Sequence, residues 1–372
     1  MARTIRRQAA GAPAAAGGGR LPSLTSLRAV AALAVFTRHA SEVFYASGHD
    51  SPLTRQGATG VSFFFVLSGF VLTWSTRPAE GAGAFWRRRF ARIYPTYLVM
   101  LLVTQVAVGA RHGFAPVPLL ANALLVQSWV PRSSVYFASG MGAWSLGCEA
   151  FFYLLFPLVL ARLTGLAPRR RWQLAGAAAA AEVALALVVH SPQQAGGVGL
   201  WLMYVLPLSR LGEFVIGVVL ALAVRDGLRP RIGLGPALAL AAGAYLLAGF
   251  VPVYLMWAAV TLAPFALVLA VAAAGDADGR PSALHHRWLV RAGEWSYSFY
   301  LVHIGVVGVV HHLVPSPGGW AADTGLTLIC LVLAAGAAGC LFTFVERPME
   351  RRLRGDRTLP VSAGGAGHVV AA

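Results

Sequence analysis

The chain reads as a series of apolar runs of about 20 residues, each long enough to cross a bilayer's hydrocarbon layer as a helix. They lie near 24–45, 58–76, 92–110, 141–162, 172–190, 198–224, 233–250, 252–274, 293–313 and 321–346. Between them stand short blocks rich in Arg, Pro and Gly. This pattern predicts an all-α, polytopic integral membrane protein with ten transmembrane helices in one bundle and both termini cytoplasmic. Residues 1–21 read as a disordered basic tail, 22–350 as the membrane domain, and 351–372 as a second disordered tail. One further apolar run, 116–130, is too short and too proline-flanked to span.

Charge sharpens this picture. Hydrophobic residues make up 57% of the sequence and charged ones only 12%, against about 25% charged in soluble domains. There is no Lys, so all 30 basic residues are Arg. With ten spans and the N-terminus inside, 24 of them fall on the cytoplasmic side. Three lie outside (Arg55, Arg111, Arg132) and three within the membrane (Arg28, Arg38, Arg210). Counting 116–130 as another span would put 17 outside and 10 inside, which violates the positive-inside rule. The net charge of +16 is thus a topological signal and points away from a nucleic-acid partner. The abundance of Ala, Gly and Arg suggests a GC-rich bacterial genome, and with it the cytoplasmic (inner) membrane. The three cysteines sit in apolar segments, so no disulfide framework is expected. There is no P-loop, dinucleotide fingerprint or HExxH motif, and the histidines are too scattered for a metal site.

Ionisable residues at membrane depth are functional candidates by default. In "LRAVAALAVFTRHA", Arg28 and His39 stand almost three helical turns apart, on one face and about 16 Å along the axis, whereas Arg38 points about 100° away. In "WSLGCEAFFY", Glu149 is expected at similar depth to His39, where a carboxylate would orient the imidazole as a general base or bind an acceptor. Cys148 faces elsewhere and reads as packing. "FWRRRFARIYPTY" puts Arg89 and Arg92 on one side of a helical start, as guanidinium forks suited to phosphate. Ordinary positive-inside anchoring is the alternative. Arg210 and Glu213 have the spacing of a structural ion pair. Ser296, Tyr300 and His303 form one polar stripe, read either as interhelical glue or as a substrate-facing lining. Glu346 is expected to pair with a cytoplasmic Arg.

Taken in order, Arg28-x10-His39, "FFFVLSGF", "FWRRRFARIYPTY", "WSLGCEAFFY", "RLGEFVIG" and "SYSFYLVH" resemble the acyltransferase family 3 membrane proteins. These are bacterial enzymes that O-acylate glycans and some secondary metabolites. The resemblance spans 22 to 350 and implies an acyl-CoA donor, usually acetyl-CoA, approached from the cytoplasm, with no permanently bound cofactor. The acceptor would be a hydroxyl of a glycan, a glycolipid or a small metabolite such as a macrolide. Arg28, Arg89 and Arg92 would bind the donor, His39 would be the catalytic base with Glu149 beside it, and Ser296, Tyr300 and His303 would line the acceptor site. Some relatives carry an extracytoplasmic hydrolase-like domain after the last helix. None is expected in this chain, which leaves open a separate partner enzyme. A transporter or flippase is the rival from another class. The Arg-x-x-Arg cluster and the absence of internal repeats weigh against it.

Overall fold

A computed structural model describes residues 19–45, 52–77, 80–112, 115–140, 142–189, 197–315 and 318–354. Most of both tails therefore lies outside the described residues. Those described are helical, with no strand among them. The principal helices are α1 (Pro22–Phe44), α2 (Thr59–Trp74), α3 (Ala82–His112), α4 (Trp144–Thr164) and α5 (Pro168–Val188). They continue with α6 (Leu211–Arg225), α7 (Leu234–Ala248), α8 (Leu262–Ala277), α9 (Arg287–Leu313) and α10 (Trp320–Leu341).

Four helical stretches among the described residues are long and apolar enough to cross a membrane: Gln56–Trp74, Ala82–Ala107, Trp144–Thr164 and Trp320–Leu353. α1 and α9, of 23 and 27 residues, have the length but carry the ionisable and hydroxyl side chains described below. Large apolar residues point outward around the bundle, among them Val188, Leu313, Val332 and Phe344, as expected where lipid replaces water as the solvent. The protein is a membrane protein.

Two expected spans are not continuous helix. The 198–224 run is broken after a π-helical turn at Trp201–Val205, and α6 restarts at Leu211. Pro207 lies between; its ring and missing N–H cannot continue the preceding turn. The 252–274 run likewise holds a π-turn, Met256–Val260, before α8 begins with Pro264 in its first turn, where proline is tolerated. The run 116–130 holds a short helix, Pro116–Ala123, of about 12 Å, which does not span. It packs over α3 and α4: Tyr97 donates to the Asn122 carbonyl (2.9 Å), and Gln127 to that of Ala143 (2.8 Å).

Two close helix crossings organise the interior. At Gly69 in α2 and Gly217 in α6, any added Cβ would overlap the Phe214 or Val66 carbonyl oxygen of the other helix. Small residues allow such backbone approach where burial of apolar surface from water supplies no driving force. Gly293 plays the same part in α9, under the Thr25 carbonyl of α1. Arg210 is buried with Glu213 (3.0 Å) and donates to Ser62 of α2 (2.8 Å), which makes it the structural pair its spacing predicted.

Candidate active site

Because α1 and α9 pack along their length, their polar stripes meet. Arg28 Nε donates to Ser296 Oγ at 3.1 Å. Farther along both helices, His39 Nδ1 lies 2.9 Å from His303 Nε2, with the ring centroids 5.1 Å apart and the planes inclined by 26°. His303 is fully buried, whereas His39 keeps partial exposure. The second nitrogen of His303, Nδ1, lies 3.1 Å from the Phe299 carbonyl oxygen.

Those contacts determine the proton positions of the neutral pair. A carbonyl can only accept, so His303 Nδ1 carries the hydrogen and its Nε2 is a bare acceptor. His39 must then donate through Nδ1, which leaves its Nε2 lone pair unprotonated and directed away from His303. A base with its tautomer set by a second group is the recurring arrangement of general-base chemistry.

Toward the start of α1 a cavity of about 440 Å³ opens, lined by Arg28, Arg89, Arg92, Glu149, Ser296 and Tyr300 among others. Arg20 stands at its rim, 3.7 Å from Glu294. Arg92 reaches Glu350 at 3.4 Å, and Arg89 lies over the Phe85 ring. Glu149 accepts from the Tyr153 hydroxyl at 3.3 Å. At the opposite end Tyr300 bounds the cavity, its ring 5.7 Å from that of His303. Neither His39 nor His303 is among the described residues lining the cavity. One end is therefore strongly cationic, the walls include Val61, Phe64, Phe65 and Leu67, and the far end abuts an imidazole pair. Among the described residues, no three His, Cys, Asp or Glu side chains come together as a metal would need.

A family model for an acyltransferase domain matches residues 21–345. The chain belongs to the acyltransferase 3 family. Acyltransferase MdmB of Streptomyces mycarofaciens is 39% identical over 367 residues, covering 92% of this chain and 94% of its own. The exopolysaccharide production protein ExoZ of Rhizobium meliloti is 31% identical over 343 residues, covering 88% and 98%. The peptidoglycan O-acetyltransferase OatA of Listeria monocytogenes is 32% identical over 158 residues, which is 38% of this chain and 24% of that one. No solved structure matches.

In this acyltransferase, most residues singled out by sequence fall in one place. Arg28, Arg89, Arg92, Glu149, Ser296 and Tyr300 share the cavity, and His39 and His303 touch each other beside it. The expected partnership of Glu149 with His39 is corrected: the imidazole's partner is His303, and Glu149 sits in the cationic cavity with a bond from Tyr153. The register of α4 against α9 accounts for it: Ser145, one turn before Glu149, meets Tyr300 (hydroxyls 2.8 Å apart), which precedes His303 by nearly a turn. Glu149 therefore lies a turn farther from the histidines, toward the level where Arg28 meets Ser296. Glu346 accepts from Ser298 (2.6 Å), and the arginines close enough to interact with it are Arg92 and Arg28, with no direct ion pair to it among the described residues. Cys148 is buried and donates to the Val205 carbonyl at 3.3 Å, in keeping with packing. Arg38, off the stripe, pairs with Glu42 at 2.5 Å.

Sequence reasoning missed the contact between the two histidines and the cavity residues Ser145 and Tyr153. The first left a signal. α1 and α9 are read as running in the same direction across the membrane, and each histidine stands more than four turns, roughly 25 Å, from its helix start. Two imidazoles at equal depth on parallel helices were candidates for a pair.

Proposed function

We propose that this protein is an O-acyltransferase that moves an acyl group, acetyl by family resemblance, from acyl-CoA to a hydroxyl of a glycan or glycoconjugate, with His39 as general base. Acyl-CoA is a polyanion at one end and a thioester at the other. The observation that carries the reading is the polarity of the cavity: three guanidinium groups at one end, and at the other a boundary residue in ring contact with an imidazole pair. Phosphates would be held by Arg28, Arg89 and Arg92 through charge-assisted bonds, and the thioester would lie toward Tyr300. The acceptor would approach the partly exposed His39 from the other side. His39 Nε2 takes the hydroxyl proton as the oxygen attacks the carbonyl carbon. The C–S bond then breaks, and the thiolate recovers that proton. His303 keeps the His39 ring in the tautomer this requires.

Ten membrane crossings with both termini in the cytoplasm belong to the same reading, because they put the arginine end of the cavity where acyl-CoA is made. A glycan acceptor is favoured by the names of two relatives, an exopolysaccharide production protein and a peptidoglycan O-acetyltransferase.

The test feeds isotope-labelled acetate to cells producing the wild type or His39→Ala at matched membrane levels. Base-labile label is then followed by mass spectrometry in envelope glycans and in secreted small molecules. Label in glycans from the wild type, falling about 10²- to 10⁴-fold in the variant, is the expected result. Label confined to small molecules would move the acceptor to a metabolite, and equal label in both strains would remove His39 from the chemistry.

A further inference from the structure

As the acceptor oxygen adds to the thioester, negative charge collects on the carbonyl oxygen, and preorganised hydrogen-bond donors aimed there are commonly the largest single source of acceleration. The helical backbone around the cavity offers none, since its N–H groups are used within the helices. The guanidinium groups stand at the other end, so the donors near Tyr300 are side-chain hydroxyls, several of them committed or distant. Tyr297 donates to the Ile93 carbonyl (2.8 Å) and Tyr153 to Glu149 (3.3 Å), while Ser296 sits at the arginine end, where it accepts from Arg28 (3.1 Å).

Ser145 and Tyr300 differ. Their hydroxyls are 2.8 Å apart, and each lies 3.0 Å from the same acceptor, the Gly142 carbonyl oxygen. Two hydroxyls carry two protons, so three contacts cannot all be hydrogen bonds at once. Either proton can turn toward a ligand while the other keeps Gly142 satisfied. The pair is therefore a donor whose redirection leaves the Gly142 carbonyl paired, the more so because that oxygen also accepts from the Ser145 backbone N–H at 3.3 Å. It also stands in the right place: Tyr300 is the boundary between the cavity and His303.

We infer that the Tyr300 hydroxyl is the oxyanion donor of this enzyme, with Ser145 as the positioning residue that holds the phenol and takes over Gly142 when the phenol turns. The inference rests on the acyl-CoA reading and adds a role to it. Tyr300 keeps its proton throughout; it donates a hydrogen bond to the carbonyl oxygen while His39 carries the acceptor's proton to the leaving thiolate.

Infrared difference spectra of [1-13C]acetyl-CoA bound to the purified full chain in lipid nanodiscs test it without an acceptor. The thioester carbonyl band should move to lower frequency with the wild type and with His39→Ala. It should return to its free position with Tyr300→Phe, which retains the ring, and fall between with Ser145→Ala. In labelled-acetate cells, Tyr300→Phe should lower label transfer about 10²-fold, while the dissociation constant of acetyl-CoA from the purified protein stays unchanged. An unshifted wild-type band, or a shift that survives Tyr300→Phe, overturns the inference and leaves the acyltransferase reading standing. Failure of acetyl-CoA to bind any of these proteins overturns the reading, and the inference with it.

Discussion

At the scale of single residues, a backbone carbonyl determines which nitrogen of His39 is left bare. Phe299 accepts from His303, which in turn accepts from His39, and the chain of donors leaves His39 Nε2 bare. That order makes a sharp prediction about His303. A glutamine there puts an amide oxygen where Nε2 was and can still accept from His39, whereas an asparagine ends short of it. His303→Gln should keep at least a tenth of wild-type label transfer, and His303→Asn should lose about 10²-fold, with equal protein in the membrane. Equal loss from both would make His303 a packing residue. Much of this site was legible in sequence: Arg28 and His39 on one stripe, Ser296, Tyr300 and His303 on another, and the Arg89–Arg92 pair. Which stripes face each other was not legible. Periodicity gives the face of a helix but neither its neighbour nor its position along the bundle, and for that reason Glu149 was assigned to His39 when it sits with the arginines.

At the scale of elements, the packing of α1 on α9 and of α2 on α6 carries the geometry. The ion pair of Arg210 with Glu213 stands in α6's first turn, after the break at Pro207, and ties that restart to Ser62 of α2. Removing Glu213 would leave the buried Arg210 with Glu182 of α5 as an acidic neighbour but without its direct partner, at a cost approaching about 3–5 kcal/mol. Glu213→Ala should therefore reduce folded protein in the membrane several-fold and lower its unfolding temperature in detergent. Arg210→Met with Glu213→Leu, which removes both charges at similar volume, should recover most of both. If the double variant is no better than the single one, the pair is more than structural. The helix breaks at 206–210 and around 256–261 were invisible to hydropathy, because the runs stay apolar straight through them. Pro207 was the one local warning of the first.

At the scale of the whole molecule, the arrangement of arginines predicts sidedness. In a background lacking Cys148, Cys330 and Cys340, a cysteine at Ser134 should react with an impermeant maleimide on intact cells, and one at Arg170 only after the membrane is opened. Identical labelling of both would overturn the ten-span topology. The boundary at Tyr300 then has a bearing on the cell's economy of gradients. A protein handling one substrate in the cytoplasm and another beyond the membrane could easily be a leak. Here the cavity reaches the Tyr300 ring, with the fully buried His303 behind it. On the proposed reading, two carbons would pass between compartments while the carrier, the ions and the proton-motive force stay where they were.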